Sequence, residues 1–110
     1  MANKYFREYL IPSAATETAI YTVPAANAAT VRSLRVTNAN AASALITVVH
    51  YESGGVTAHY LLKAKSLPAN GSFDVFNGVP LNMEEGDVLK VTSSVATVTF
   101  YLSYLEMDRS

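Results

Sequence analysis

The sequence predicts an all-β protein, an antiparallel β-sandwich of jelly-roll type with about eight to nine short strands. Three observations carry that prediction. Apolar residues recur mainly with period two inside short segments, clusters of Gly, Asn, Pro, Ser and Ala separate those segments about every ten residues, and no stretch holds a convincing helical period. With 110 residues, 50% of them hydrophobic and 15% charged, the chain is long enough for one domain and apolar enough to offset its conformational entropy. An open flat sheet would leave too much apolar surface in water, so two packed sheets are expected.

In chain order, the N-terminal YFREYL places Tyr5, Phe6, Tyr9 and Leu10 at roughly helical spacing ahead of Pro12, but six residues do not separate helix from strand. Residues 1–16 are expected to form an N-terminal arm or first strand, and residues 17–110 a single β-sandwich domain. ETAIYTV stops at Pro24, and VRSLRVTN follows after the small-residue turn AANAA. Here Leu34 and Val36 face the core while Arg35 and Thr37 face water; Val31 is out of step, which predicts a bulge or a strand start. NANAASA turns the chain into LITVVHYE, and SGG joins that strand to VTAHYLLK as a hairpin. PANGS leads into FDVF, NG turns it towards VPL, EEGD introduces VLKVTS, and TVTFYLSYLE is the last strand. In that strand Val98, Phe100, Leu102 and Tyr104 share one face, with Thr97, Thr99, Tyr101 and Ser103 on the other.

Composition excludes several chemistries. A net charge of -1 lacks the basic excess that phosphate neutralisation requires, so no nucleic-acid partner is expected. With no cysteine there are no disulfides, thiolate zinc sites or cysteine nucleophiles, which fits a reducing cytoplasm. Arg7 and Glu8 interrupt the N-terminus where a signal peptide needs an apolar stretch, and no segment is apolar enough to span a bilayer, so we expect a soluble, unprocessed chain with no membrane partner.

The acidic group Glu84, Glu85 and Asp87 around Gly86 reads as a strand-to-strand turn, with Gly86 supplying positive φ and Asp87 accepting backbone N–H groups. A calcium site would need further oxygen ligands, and a hydrolytic pair would need a cleft around it. His50 and His59 lie on opposite arms of the SGG hairpin. A two-residue turn sets them opposite each other and a three-residue loop separates them; even paired, two imidazoles make an incomplete metal site. No serine sits in a nucleophile elbow and no glycine run cradles phosphate, so no catalytic, cofactor-binding or metal residues are assigned and enzyme activity is not expected. A sugar-binding sandwich using Tyr51, Tyr60 and Tyr101 is the alternative from a different class, weakened by the absence of tryptophan.

Four segments in order, VRSLRVTNAN, YESGG, LPANGSFDV and the return strand L-x-x-x-x-G-D-x-L-x-V, give the chain after about Ile20 a pattern that resembles small virion structural proteins of tailed bacteriophages. The resemblance implies a virion protein assembled in the host cytoplasm, most often a capsid decoration or cement protein bound to the major capsid protein, less often a neck, tail or fibre component. A domain this small with aromatic and apolar residues on many strands is expected to form a homo-oligomer, a trimer by analogy with shell three-fold positions. The residues expected at that interface are Tyr5, Phe6, Tyr9, Ile46, Val48, Leu61 and Tyr101.

Overall fold

The structure, a computed structural model, describes residues 3–52, 57–76 and 80–108. Its strands are β1 (Asn3–Leu10), β2 (Thr18–Thr22), β3 (Asn27–Asn38), β4 (Ala44–Tyr51), β5 (Ala58–Leu67), β6 (Ser72–Asp74), β7 (Leu81–Met83), β8 (Val88–Ser93) and β9 (Val98–Asp108). One sheet runs β1-β9-β3-β6 with β7 also on β3, the other β2-β8-β4-β5, and every strand pair is antiparallel. The chain crosses between sheets at almost every connection, which is the double Greek-key winding of a jelly roll. Strands β6 and β7 share one edge of β3, opposite residues 35–37 and 29–31 respectively, so together they fill a single strand position. The SGG turn and the NG turn expected from the sequence lie outside the described residues.

One open reading is decided and two change. The segment YFREYL is a strand, paired in unbroken register with β9 from Asn3↔Met107 to Leu10↔Phe100. Alternation rather than helical spacing governs it, because Phe6 and Leu10 turn toward the sandwich while Tyr5, Arg7 and Tyr9 turn away. The AANAA turn is shorter than its composition implies: the chain reverses at Ala25 and Ala26, with Asn27 N–H donating to Pro24 O at 3.2 Å, and Asn27 already begins β3. Ile46 and Val48 do not face outward but are fully buried.

The core is made by the alternation itself. Phe100, Leu34, Leu102, Leu89, Ile46 and Met83 are among its largest buried side chains; each such group contributes about 1.5–3 kcal/mol on leaving water. Two of the bulges adjust the parity of the core directly. A register shift between Val31 and Ser33 lets Val31 and Leu34, three positions apart, both point inward, and another between Ala19 and Tyr21 buries the neighbours Ile20 and Tyr21 together.

Polar groups tie both ends of the sandwich. At one end the buried Asn38 donates to Ala42 O at 2.9 Å and to Leu67 O and Pro68 O at 3.2 Å, and its Oδ1 accepts from Asn40 N–H at 3.0 Å. Asn40 in turn reaches Ala96 O at 2.7 Å, so two amides hold three loops. At the other end Gly86 has φ 84°, its N–H donates to Val23 O at 3.1 Å, and Val23 N–H donates to Asp87 O at 2.9 Å. The acidic turn is thereby stitched to the β2–β3 loop.

Candidate protein-binding face

The registers of β1, β9 and β3 build an outward surface in rows. Tyr5, Leu105 and Thr30 form one row, Arg7, Ser103 and Ser33 the next, and Tyr9, Tyr101 and Arg35 a third. Tyr5 and Tyr9 are 67% and 70% exposed, and Tyr101 is 41% exposed. Arg32, carried outward at the β3 bulge, lays its guanidinium 5.3 Å from the centre of the Tyr5 ring. Such a contact orders two side chains that would otherwise be free in water. Two shallow depressions mark the surface, one of about 550 Å³ between Tyr5, Arg32, Pro80 and Leu105, the other of about 380 Å³ around Arg35, Tyr101 and the hydroxyls of Thr37, Thr99 and Ser103.

Charge on this face is mainly positive. Arg7, Arg32 and Arg35, three of the chain's four arginines, are exposed there. The carboxylate at its margin, Asp74 opposite Arg35, is engaged through Oδ1 by the N–H groups of Leu34 at 3.2 Å and Phe76 at 3.1 Å. Tyrosine and arginine are among the residues enriched at the energetic centres of protein interfaces. Rigid rings and forked guanidinium groups give large contact area at low entropic cost.

The residues singled out from the sequence divide accordingly. Tyr5, Tyr9 and Tyr101 share the face. Phe6 sits on the other side of β1, still 40% exposed, and stacks on Tyr104 with ring centres 5.5 Å apart. Ile46 and Val48 are core, and Leu61 packs half-buried against it, because β4 turns Ala44, Ile46 and Val48 inward and leaves Leu45 exposed. The LITVV run has apolar residues on both faces, so its parity could not be read from period alone. The three arginines were missed as a group. Their signal was the alternation Tyr5, Arg7, Tyr9, legible only once the segment is taken as a strand.

The histidines meet in the register of a two-residue turn: His50 pairs with His59 across β4 and β5, with ring centres 6.0 Å apart. Each is also held by a carboxylate, His50 Nε2 by Asp87 Oδ2 at 2.9 Å and the exposed His59 Nε2 by Glu52 Oε1 at 3.0 Å. Asp87 is buried rather than solvated, since the same Oδ2 accepts Glu84 N–H at 3.0 Å. Sequence spacing gave no hint of the His50–Asp87 contact, which bridges 37 residues. Among the described residues no three His, Asp or Glu groups converge to hold a metal, and no helix is long and apolar enough to cross a membrane.

A second polar group surrounds the β2–β3 loop. Tyr21 Oη donates to Glu106 Oε2 at 2.7 Å, Asn27 Nδ2 donates to Glu106 Oε1 at 3.4 Å, and Ala26 N–H donates to Glu85 Oε2 at 2.7 Å. Glu84 and Glu85 rim a concavity of about 440 Å³ with Ala26 and Asn27. Burial, then the hydrogen bond and charge of Glu106, raise the Tyr21 hydroxyl above its ordinary value.

Strand order and the shared inner core define a jelly-roll β-sandwich. No family model matches the chain, and no curated protein matches its sequence. Among solved structures it is similar to a protein of Bacillus endospore appendages, which form disulfide-linked pili, at 16% identity and a TM-score of 0.59 over 99% of this chain and 88% of the other. It is also similar to chains of infectious bursal disease virus, in the T13 viral particle (TM-score 0.58, 8% identity, 94% of this chain) and in T=1 particles (TM-score 0.57, 9% identity, 94% of this chain). The chain spans 30% and 31% of the length of those viral chains. At these identities the likeness establishes the fold.

Proposed function

We propose that the chain is a non-enzymatic structural protein of a tailed-phage virion, a decoration or cement protein seated as a homotrimer on the outer shell of the major capsid protein. The observation that carries this reading is the outward β1-β9-β3 face, a tyrosine–arginine surface of interface composition on a frame whose inner faces are fully used in packing. A jelly roll shared with virus-particle and pilus proteins supports an assembly role, and the sequence pattern quoted above supports the phage virion. The tyrosine–arginine face joins copies of the chain to one another. The exposed side of the four-stranded sheet, where Leu45 and Tyr60 stand out and Lys90 lies 4.6 Å from the Tyr51 ring centre, is left for the shell.

Quantitative mass spectrometry of virions, referenced to the major capsid protein, tests the proposal. A ratio near one per capsid subunit, or a simple fraction of it, is expected. A handful of copies per particle moves the protein to the neck or tail, and absence from virions ends the reading.

A filament subunit is the second reading, favoured by the near whole-length match to the endospore-appendage protein. Those pili are disulfide-linked, whereas this chain has no cysteine, so a filament of this chain would be held without disulfides between its copies. Negative-stain microscopy of the concentrated protein separates the two, since filaments are visible and closed trimers are not extended.

A further inference from the structure

We infer that the tyrosine–arginine face docks on the acidic end of a second copy of this chain, the end formed by the β2–β3 loop and the Glu84–Asp87 turn. The inference rests on the oligomer reading above and supplies the geometry it lacks. A face-to-face pair about a two-fold axis would set the face bearing Arg7, Arg32 and Arg35 against its own copy, and like charges brought together in an interface oppose association. The face therefore needs a different patch as its complement. A cyclic trimer makes the same demand, because rings larger than dimers are built from heterologous contacts between two unlike patches.

The chain carries a patch of opposite sign. Glu84 and Glu85 are exposed at the rim of a concavity, with Glu106 held close by through Tyr21 and Asn27. Hydrogen bonds fix this end in place: Ala26 N–H holds Glu85, Gly86 N–H binds Val23 O, and Asp87 is locked between Glu84 N–H and His50. A preorganised anionic rim loses little freedom on meeting guanidinium forks, which bind carboxylates in a planar, two-point geometry. The remaining contact area comes from Tyr5, Tyr9 and Tyr101, whose rings are already exposed. A surface of this sign could also take an acidic patch on another protein; the present chain supplies both halves at equal concentration.

The test uses the intact chain and light scattering coupled to size exclusion. The unmodified protein is expected to associate, and raising salt from about 0.1 M to about 1 M, which shortens the Debye length from about 10 Å to about 3 Å, is expected to weaken association about tenfold or more. R32E/R35E and E84K/E85K should each be monomeric while keeping the unmodified β-sheet circular dichroism. Mixed in equal amounts they should associate again, because each then offers the charge the other has lost. A monomer at every salt concentration overturns the inference, as does a salt-insensitive oligomer or folded variants whose mixture stays monomeric. Should either variant fail to fold, the salt series alone decides. Absence of the protein from virions would leave this result standing, so the two proposals fail separately.

Discussion

Tyr104 shows how one side chain serves core and edge together. Its ring is buried beside Tyr21, with centres 4.2 Å apart, and its hydroxyl donates to Glu8 Oε1 at 3.3 Å. Burial, with the negative charges of Glu8 and Glu106 and the hydrogen bond to Glu8, pushes the hydroxyl from 10.0 up to about 12. An unfolded tyrosine loses its proton near pH 10.0, the folded one near pH 12, so the stabilisation is complete below pH 10.0 and is lost as pH rises toward about 12. Urea unfolding across that window should show stability falling with pH, and Tyr104→Phe should flatten the fall; an equal slope in the variant would assign the effect elsewhere. The ring's inward position was legible from the alternation of the last strand. Its carboxylate partner was not, because Glu8 lies 96 residues away and only the β1–β9 register brings them together.

Among the elements, β4 separates what periodicity decides from what packing decides. Leu45 and Val49 alternate with Ile46 and Val48, so either parity satisfies a strand with one apolar face. The choice is made by neighbours: Ile46 and Val48 stand opposite Ser93 and Val91 of β8, whose inward side chains are buried. Ile46→Ala should therefore cost about 2–5 kcal/mol of folding stability, whereas Leu45→Ala should stay within about 0.5 kcal/mol. Thermal or urea denaturation checks both, and comparable losses would restore the outward placement of Ile46. By contrast, β9 was read correctly because its polar face holds threonine and serine, leaving one parity. The β3 bulge was equally readable, since Val31 was the single residue out of phase. Strand β1 resisted reading because Tyr5, Phe6, Tyr9 and Leu10 fit a helix as well as a strand, and only its pairing with β9, far along the chain, selects the strand.

At the scale of the whole molecule, the proposed seating of a trimer on a shell would act through multiplicity of contacts. A monomer touching a capsid through one modest patch dissociates readily, whereas a trimer that holds three such patches in register makes the second and third contacts intramolecular. Such linkage raises avidity by about 10²–10⁴ over a single contact when the spacing fits, and adds nothing when it does not. If the face bearing Arg32 and Arg35 builds the trimer and the four-stranded sheet meets the shell, then R32E/R35E leaves the shell-binding patch untouched while removing its multiplicity. Sedimentation of that variant with purified shells should show binding weakened by about 10²–10⁴, its half-maximal concentration displaced but its chemistry unchanged. Exchange of Tyr60 and Leu45 to Ser, by contrast, should weaken shell binding while leaving the trimer mass intact. Binding of monomeric R32E/R35E as tight as that of the unmodified protein would show that each copy grips the shell alone, and would detach the oligomer from the cementing role.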